Sequence, residues 1–210
     1  MSRLNYTYKT TKRRKKKKRS RVLIFVLLLV MAVVFYHGVM NTQKTPPVDN
    51  YGAPLQIAYN RTELSRTKED IQYIVIHDTA NKRFGADARN HYNFFNSGNQ
   101  ESSADFFVDD GEILQVNDYY KYYTWHCGDG QGQHGITNQN SIGIEICVNR
   151  GGIYQHAVEN TTALVKRLME ELDIDADHVV RHYDASYKCC PASMSKSDWK
   201  KWDKFIEEIK

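Results

Sequence analysis

Four cysteines in 210 residues are too few to build a disulfide scaffold in place of a hydrophobic core. Four prolines and twelve glycines exclude collagen-like and low-complexity architectures. No internal repeat is visible. Beyond residue 21 an excess of positive charge is also missing. Residues 1–21 hold 11 Lys and Arg and no acid, so the other 189 residues carry 18 basic and 25 acidic side chains, a net of −7. The overall +4 therefore describes a basic tail on a mildly acidic body. That body lacks the basic excess needed to neutralise phosphates, which argues against nucleic acid as a partner. What is present is ordinary: 41% hydrophobic and 26% charged residues, enough for one globular domain with appendages.

The basic run Lys12 to Arg19 precedes an uncharged apolar stretch, VLIFVLLLVMAVVFY, from Val22 to Tyr36. Extended to Met40 it is 19 residues, which as a helix spans roughly 28 Å, close to the ~30 Å hydrocarbon thickness of a bilayer. Basic residues stay on the cytoplasmic side, so residues 41–210 are expected outside the membrane. A cleaved signal peptide is the alternative, but the residues around Gly38, Val39 and Met40 lack the small pair that cleavage prefers. An uncleaved signal anchor over 22–40 is the better reading. Residues 41–66 are polar, carry Pro46, Pro47 and Pro54, and read as a linker and lead-in. The domain is expected over 67–210.

Within that domain IQYIVIH (Ile71 to His77) is short, apolar and β-branched, and reads as a buried strand. Residues 86–97 have helical composition. Residues 104–108 and 112–116 are strand-like and flank Asp109-Asp110-Gly111, a hairpin signal. IGIEICV (Ile142 to Val148) is a further strand, with Gly143, Glu145 and Cys147 on one face and Ile144, Ile146 and Val148 on the other. From Gln155 to Leu172, apolar positions recur at helical spacing. A short strand is expected at 178–181, and a closing helix from about Ser195, with Ser195 and Asp198 as a capping box. Strands interleaved with helices imply an α/β fold, a mixed central sheet flanked by helices.

Three residues suited to binding a metal lie at strand ends or just beyond them: His77, His182 and Cys190. Two neutral imidazoles and a thiolate bind zinc well and leave a fourth position for water. Spacing alone does not separate them from histidines and a cysteine buried for packing. Five segments taken together do. YIVIHDTAN (73–81), SSADFFVDDGEILQV (102–116), WHCGDG (125–130), NSIGIEICVN (140–149) and RHYDASYKCCP (181–191) stand in the order found in the zinc-dependent N-acetylmuramoyl-L-alanine amidases. The chain resembles this type-2 amidase family, related to the peptidoglycan recognition proteins, over roughly residues 70–194.

The resemblance implies one Zn2+ held by His77, His182 and Cys190, with Cys189 a rival that the family's Cys-Pro pairing disfavours. It implies catalytic roles for Glu145, as general base and then acid, and for Lys188, opposite a developing oxyanion. Trp125 and His126 match the family's W-H segment and are expected to border the cleft and touch substrate. The implied substrate is peptidoglycan, cut at the amide between N-acetylmuramic acid and L-alanine. A non-catalytic peptidoglycan-binding module is the alternative, and a cysteine hydrolase using Cys190 or Cys127 is a third. No tyrosine occupies residues 104–106, where some relatives have a catalytic one, so no catalytic role is assigned there. Cys127, Cys147 and Cys189 allow at most one disulfide, of undetermined pairing.

Overall fold

Ile74, Val75 and Ile76 have no solvent exposure at all, as a strand covered on both faces requires. They lie in β2 (Tyr73–Asp78), the second strand from one edge of a six-stranded sheet. The computed structural model describes residues 27–31, 55–57, 64–97 and 102–210. The other strands are β1 (Leu55–Ile57), β3 (Phe106–Val108), β4 (Ile113–Gln115), β5 (Ser141–Ile146) and β6 (Val179–Arg181), in the spatial order β1-β4-β3-β5-β2-β6. Among these six strands the β3–β4 hairpin is antiparallel and the other pairs are parallel. The expected mixed sheet is therefore present. Its helices are α1 (Ala88–Asn96), α2 (Tyr154–Leu172), α3 (His182–Ser186) and α4 (Lys200–Ile209).

Alternation along the strands divides the sheet into two faces. Ile74, Ile76, Ile142, Ile144, Ile146, Phe106 and Ile113 pack against Leu164, Val165 and Leu168 of α2 and Trp202, Phe205 and Ile209 of α4. The other face carries two smaller apolar patches. Phe107 and Leu114 meet Ala88 of α1, and Val75 meets Cys127, Ile136 and Ala185. The register sets His77 beside Glu145 on this second face. Asp109 organises the hairpin: Oδ1 accepts from Gly111 N–H at 2.7 Å and Glu112 N–H at 2.6 Å, and Oδ2 accepts from Ala88 N–H at 2.8 Å, fastening α1 to the turn. An Asp can do this because its short carboxylate reaches nearby backbone donors.

Three sequence expectations change. The folded part starts before residue 67: β1 pairs in parallel with β4, and Arg66 is buried. The closing helix begins at Lys200, not near Ser195, whose hydroxyl donates back to the Ala192 carbonyl. Ser197, Asp198 and Trp199 all have positive φ, so the chain turns there and no capping box forms. The span expected at 22–40 lies mostly outside the described residues. Residues 27–31 are helical, and among the described residues no helix is long and apolar enough to cross a membrane. The chain divides into units Met1–Thr45 and Pro46–Lys210.

Candidate metal centre

Parallel strands end together, and the loops that leave their carboxyl ends can converge on a shared crevice. His77 is the penultimate residue of β2, and His182 follows β6 directly as the first residue of α3. Tyr187, with φ 62°, ends α3 in the left-handed region and turns the chain back. Tyr183 N–H then donates to the Cys190 carbonyl at 3.0 Å, and Ser193 N–H donates to Asp78 Oδ2 at 2.6 Å. These bonds tie the segment bearing Cys190 to the ends of both α3 and β2.

The result brings one ligating atom from each of His77, His182 and Cys190 within 4.8 Å of one another, with all three residues buried. The two imidazole rings are 4.5 Å apart between centroids. Each presents its outer nitrogen to a protein partner. His77 Nε2 lies 3.1 Å from His126 Nδ1, and His182 Nε2 lies 2.7 Å from Asp129 Oδ1. His77 Nδ1 faces Cys190 Sγ at 3.8 Å. His182 Nδ1 is buried with no hydrogen-bond partner, which ordinarily carries a desolvation penalty. An orphaned imidazole nitrogen beside a second imidazole and a thiol is the donor set of a zinc site, so these residues fit that ion.

Their ionisation agrees. Burial pulls His77 well below the usual imidazole range, helped by the neighbouring His126 and His182 and the Lys188 charge. Burial also lowers His182, against the pull of Asp129. Both rings are thus neutral and able to donate a lone pair. Burial, with the Glu145 charge nearby, pushes the Cys190 thiol up to about 12. A thiolate here needs a cation beside it.

Glu145 stands next to His77 across the β2–β5 ladder. Its Oε2 is buried without a partner. Burial, with the Asp78 charge next and the Lys188 charge opposing, pushes its carboxyl up to about 8. Lys188 is exposed, yet its charge is felt at Glu145, His77, His182, Cys190 and Asp129, which places it at the rim. Trp125 is also exposed, its backbone N–H donating to Ser103 Oγ at 3.0 Å. His126 lies deeper than its neighbour. Both ring nitrogens meet protein atoms, and burial pulls its pKa down to about 3.

The sequence reading missed several residues that hold this arrangement. Asp129 lies within WHCGDG, on the turn Gly128–Gly130, and nothing in the sequence pointed it at His182. Gly130 lets that turn approach α3: a Cβ there would sit 2.1 Å from the Ala185 carbonyl oxygen. Asp105, assigned no catalytic role, is fully buried. It accepts from Asn117 Nδ2 at 2.7 Å, Thr124 Oγ1 at 3.1 Å and Gly143 N–H at 2.8 Å, and pairs with Arg66 at 3.7 Å. Arg66 in turn donates to the carbonyls of Tyr119 and Ser141 at 2.7 and 2.5 Å. This buried pair locks the lead-in segment to β5. All four cysteines are free, so Cys127, Cys147 and Cys189 form no disulfide.

A family model described as N-acetylmuramoyl-L-alanine amidase matches residues 67–193. The chain is 39% identical over 137 residues to the N-acetylmuramoyl-L-alanine amidase CwlH of Bacillus subtilis (strain 168), covering 65% of this chain and 52% of that one. It is 40% identical over 136 residues to XlyA of the same organism, covering 63% and 42%. The chain thus spans about half the length of these curated relatives. The solved catalytic domain of XlyA superposes with a TM-score of 0.65 at 34% identity, covering 74% of this chain and 99% of that domain.

Proposed function

Because the chain belongs to the N-acetylmuramoyl-L-alanine amidase family, we propose that its folded unit hydrolyses the amide between N-acetylmuramic acid and L-alanine in peptidoglycan. The observation that carries this reading is the convergence of His77, His182 and Cys190, with an orphaned His182 Nδ1, beside a buried carboxyl of perturbed ionisation. These three side chains would hold one zinc ion. When bound, zinc supplies Lewis-acid polarisation of the scissile carbonyl and lowers the pKa of a water.

The remaining work falls to the chain itself. Glu145 takes a proton from the attacking water as the new carbon–oxygen bond forms. It returns that proton to the L-alanine nitrogen as the carbon–nitrogen bond breaks. A carboxyl held near neutral pKa suits both transfers. Lys188 supplies positive charge at the rim, where the carbonyl oxygen becomes an oxyanion. Trp125 offers an exposed aromatic face for packing on the substrate.

The test is mass spectrometry of purified peptidoglycan after incubation with the protein. New L-alanine amino termini should appear, vanish on chelation and return with zinc. Binding to the wall by zinc-loaded protein without any new termini would replace this reading with that of a binding module. A cysteine hydrolase would work without metal and be inactivated by thiol reagents.

We also propose that residues 22–40 anchor the enzyme in the cell membrane, single-pass, with the basic tail cytoplasmic and the domain outside. The support is the uncharged 19-residue run that begins directly after Arg21, two residues beyond the eight consecutive basic residues 12–19. Carbonate extraction should leave the protein in the membrane fraction, and external protease should remove the domain from intact, wall-stripped cells. Release into the carbonate supernatant would overturn the anchor.

A further inference from the structure

His126 sits in a place built to receive it. Its ring lies over Gly143 of β5, where a Cβ would come within 2.6 Å of His126 Cγ. Its backbone N–H donates to Asn138 Oδ1 at 3.0 Å. Its ring stands edge-on to His77, 86° between planes. Nδ1 lies 3.1 Å from His77 Nε2, and Nε2 lies 3.2 Å from the buried Ser141 hydroxyl.

The proton positions along this chain follow from its far end. The Ser141 hydroxyl donates to the Thr137 carbonyl oxygen. A carbonyl only accepts, so the hydroxyl proton is committed to it. Ser141 Oγ is then an acceptor toward His126, and His126 carries its proton on Nε2. Cys127 Sγ, 3.7 Å from the same oxygen, can donate to its remaining lone pair. His126 Nδ1 is left as a lone pair, and His77 must donate to it from Nε2. His77 Nδ1 is therefore bare and faces Cys190. With the opposite polarity, His77 would carry its proton on Nδ1 and block the ligand position.

We propose that His126 is a positioning residue that holds His77 in the tautomer with Nδ1 free for the metal, and that the Ser141–Thr137 hydrogen bond sets the direction of the relay. The inference rests on His77 being a metal ligand, and it extends the general finding that a ligating imidazole is oriented by the acceptor on its other nitrogen. It differs from a substrate-contact role for His126, since both ring nitrogens are already engaged within the protein.

The experiment uses the full chain in detergent, labelled with 15N-histidine. Without metal at neutral pH, long-range 1H–15N spectra should show His77 and His126 both protonated on Nε2. In Ser141→Ala, part of the His77 population should shift to the Nδ1–H form with the backbone spectrum otherwise retained. Zinc affinity, measured by competition with a chelator, should fall roughly 10- to 100-fold in His126→Ala. His126→Asn, whose amide oxygen can stand where Nδ1 stood, should recover most of it. A wild-type His77 protonated on Nδ1 would overturn the proposal, as would tight zinc binding by His126→Ala or an Asn variant as weak as the Ala one. The tautomer is read without zinc or turnover, so failure of the hydrolase reading is distinguishable from failure of this one.

Discussion

Replacing Glu145 by Gln should stabilise the metal-free protein while removing the proposed hydrolysis. The carboxyl's pKa is raised from 4.5 to about 8, chiefly by burial. A carboxyl with a raised folded-state pKa contributes most to stability when protonated, below its unfolded pKa, and loses that contribution as pH rises through the folded value. At pH 7 the unfolded chain carries a charged Glu145, and folding must place a proton on it. Each pH unit above 4.5 adds about 1.4 kcal/mol to that penalty, so at pH 7 the total is ~3 kcal/mol. Gln has the same shape and no charge to neutralise. Urea unfolding after chelation should therefore show the Gln variant more stable by ~3 kcal/mol at pH 7. That gap should shrink toward zero near pH 4.5 and level off above pH 8. Zinc should narrow it, because a nearby dication favours the carboxylate. Hydrolysis by the zinc-loaded variant should fall ~10²-fold or more. Equal stability of the two proteins at pH 7, or a gap that does not vary with pH, would refute the argument that desolvation of this carboxyl is what raises its pKa.

Two further substitutions address the frame and the ligands. Cys190→Ser should lose zinc and hydrolysis together, read by metal analysis and release of L-alanine amino termini, because a hydroxyl is a far poorer ligand than a thiolate. Retention of both would remove Cys190 from the centre. Asp105→Ala leaves the buried Arg66 guanidinium without its carboxylate and takes the acceptor from the Asn117, Thr124 and Gly143 donors. It should destabilise the fold by ~3–5 kcal/mol in denaturant unfolding, whereas a loss below ~1 kcal/mol would show that Arg66 finds other compensation.

The parts of the fold that were readable in the sequence are those with a strong local period. The continuous apolar run of β2, the alternation in β5 and the 3.6-residue stripe of α2 each describe a face that must be buried. Ala157, Thr161, Leu164, Val165 and Leu168 are buried as that stripe requires. The Asp-Asp-Gly turn also carried its own geometry. β1 was not legible, because three residues of mixed character have no period to detect, and only pairing with β4 makes them a strand. The start of α4 was misplaced because a Ser three residues before an Asp signals a cap only when the backbone between them is helical, and here it turns left-handed.

The candidate site divides along the same line. By itself the sequence determined the residue types and their order: two imidazoles, a thiol, a carboxyl in an apolar strand and a lysine near the thiol, arrayed as in the amidase family. Tertiary structure alone decided what each of these groups touches. His126 meets His77 across 49 residues, Asp129 meets His182 across 53, and Cys190 meets His77 across 113. No local pattern encodes such contacts, because they arise where loops leaving different strands come together at one end of the sheet. Tautomer, orphaned lone pair and raised carboxyl pKa all depend on that meeting, since each is set by neighbours and by exclusion of water and not by the side chain alone.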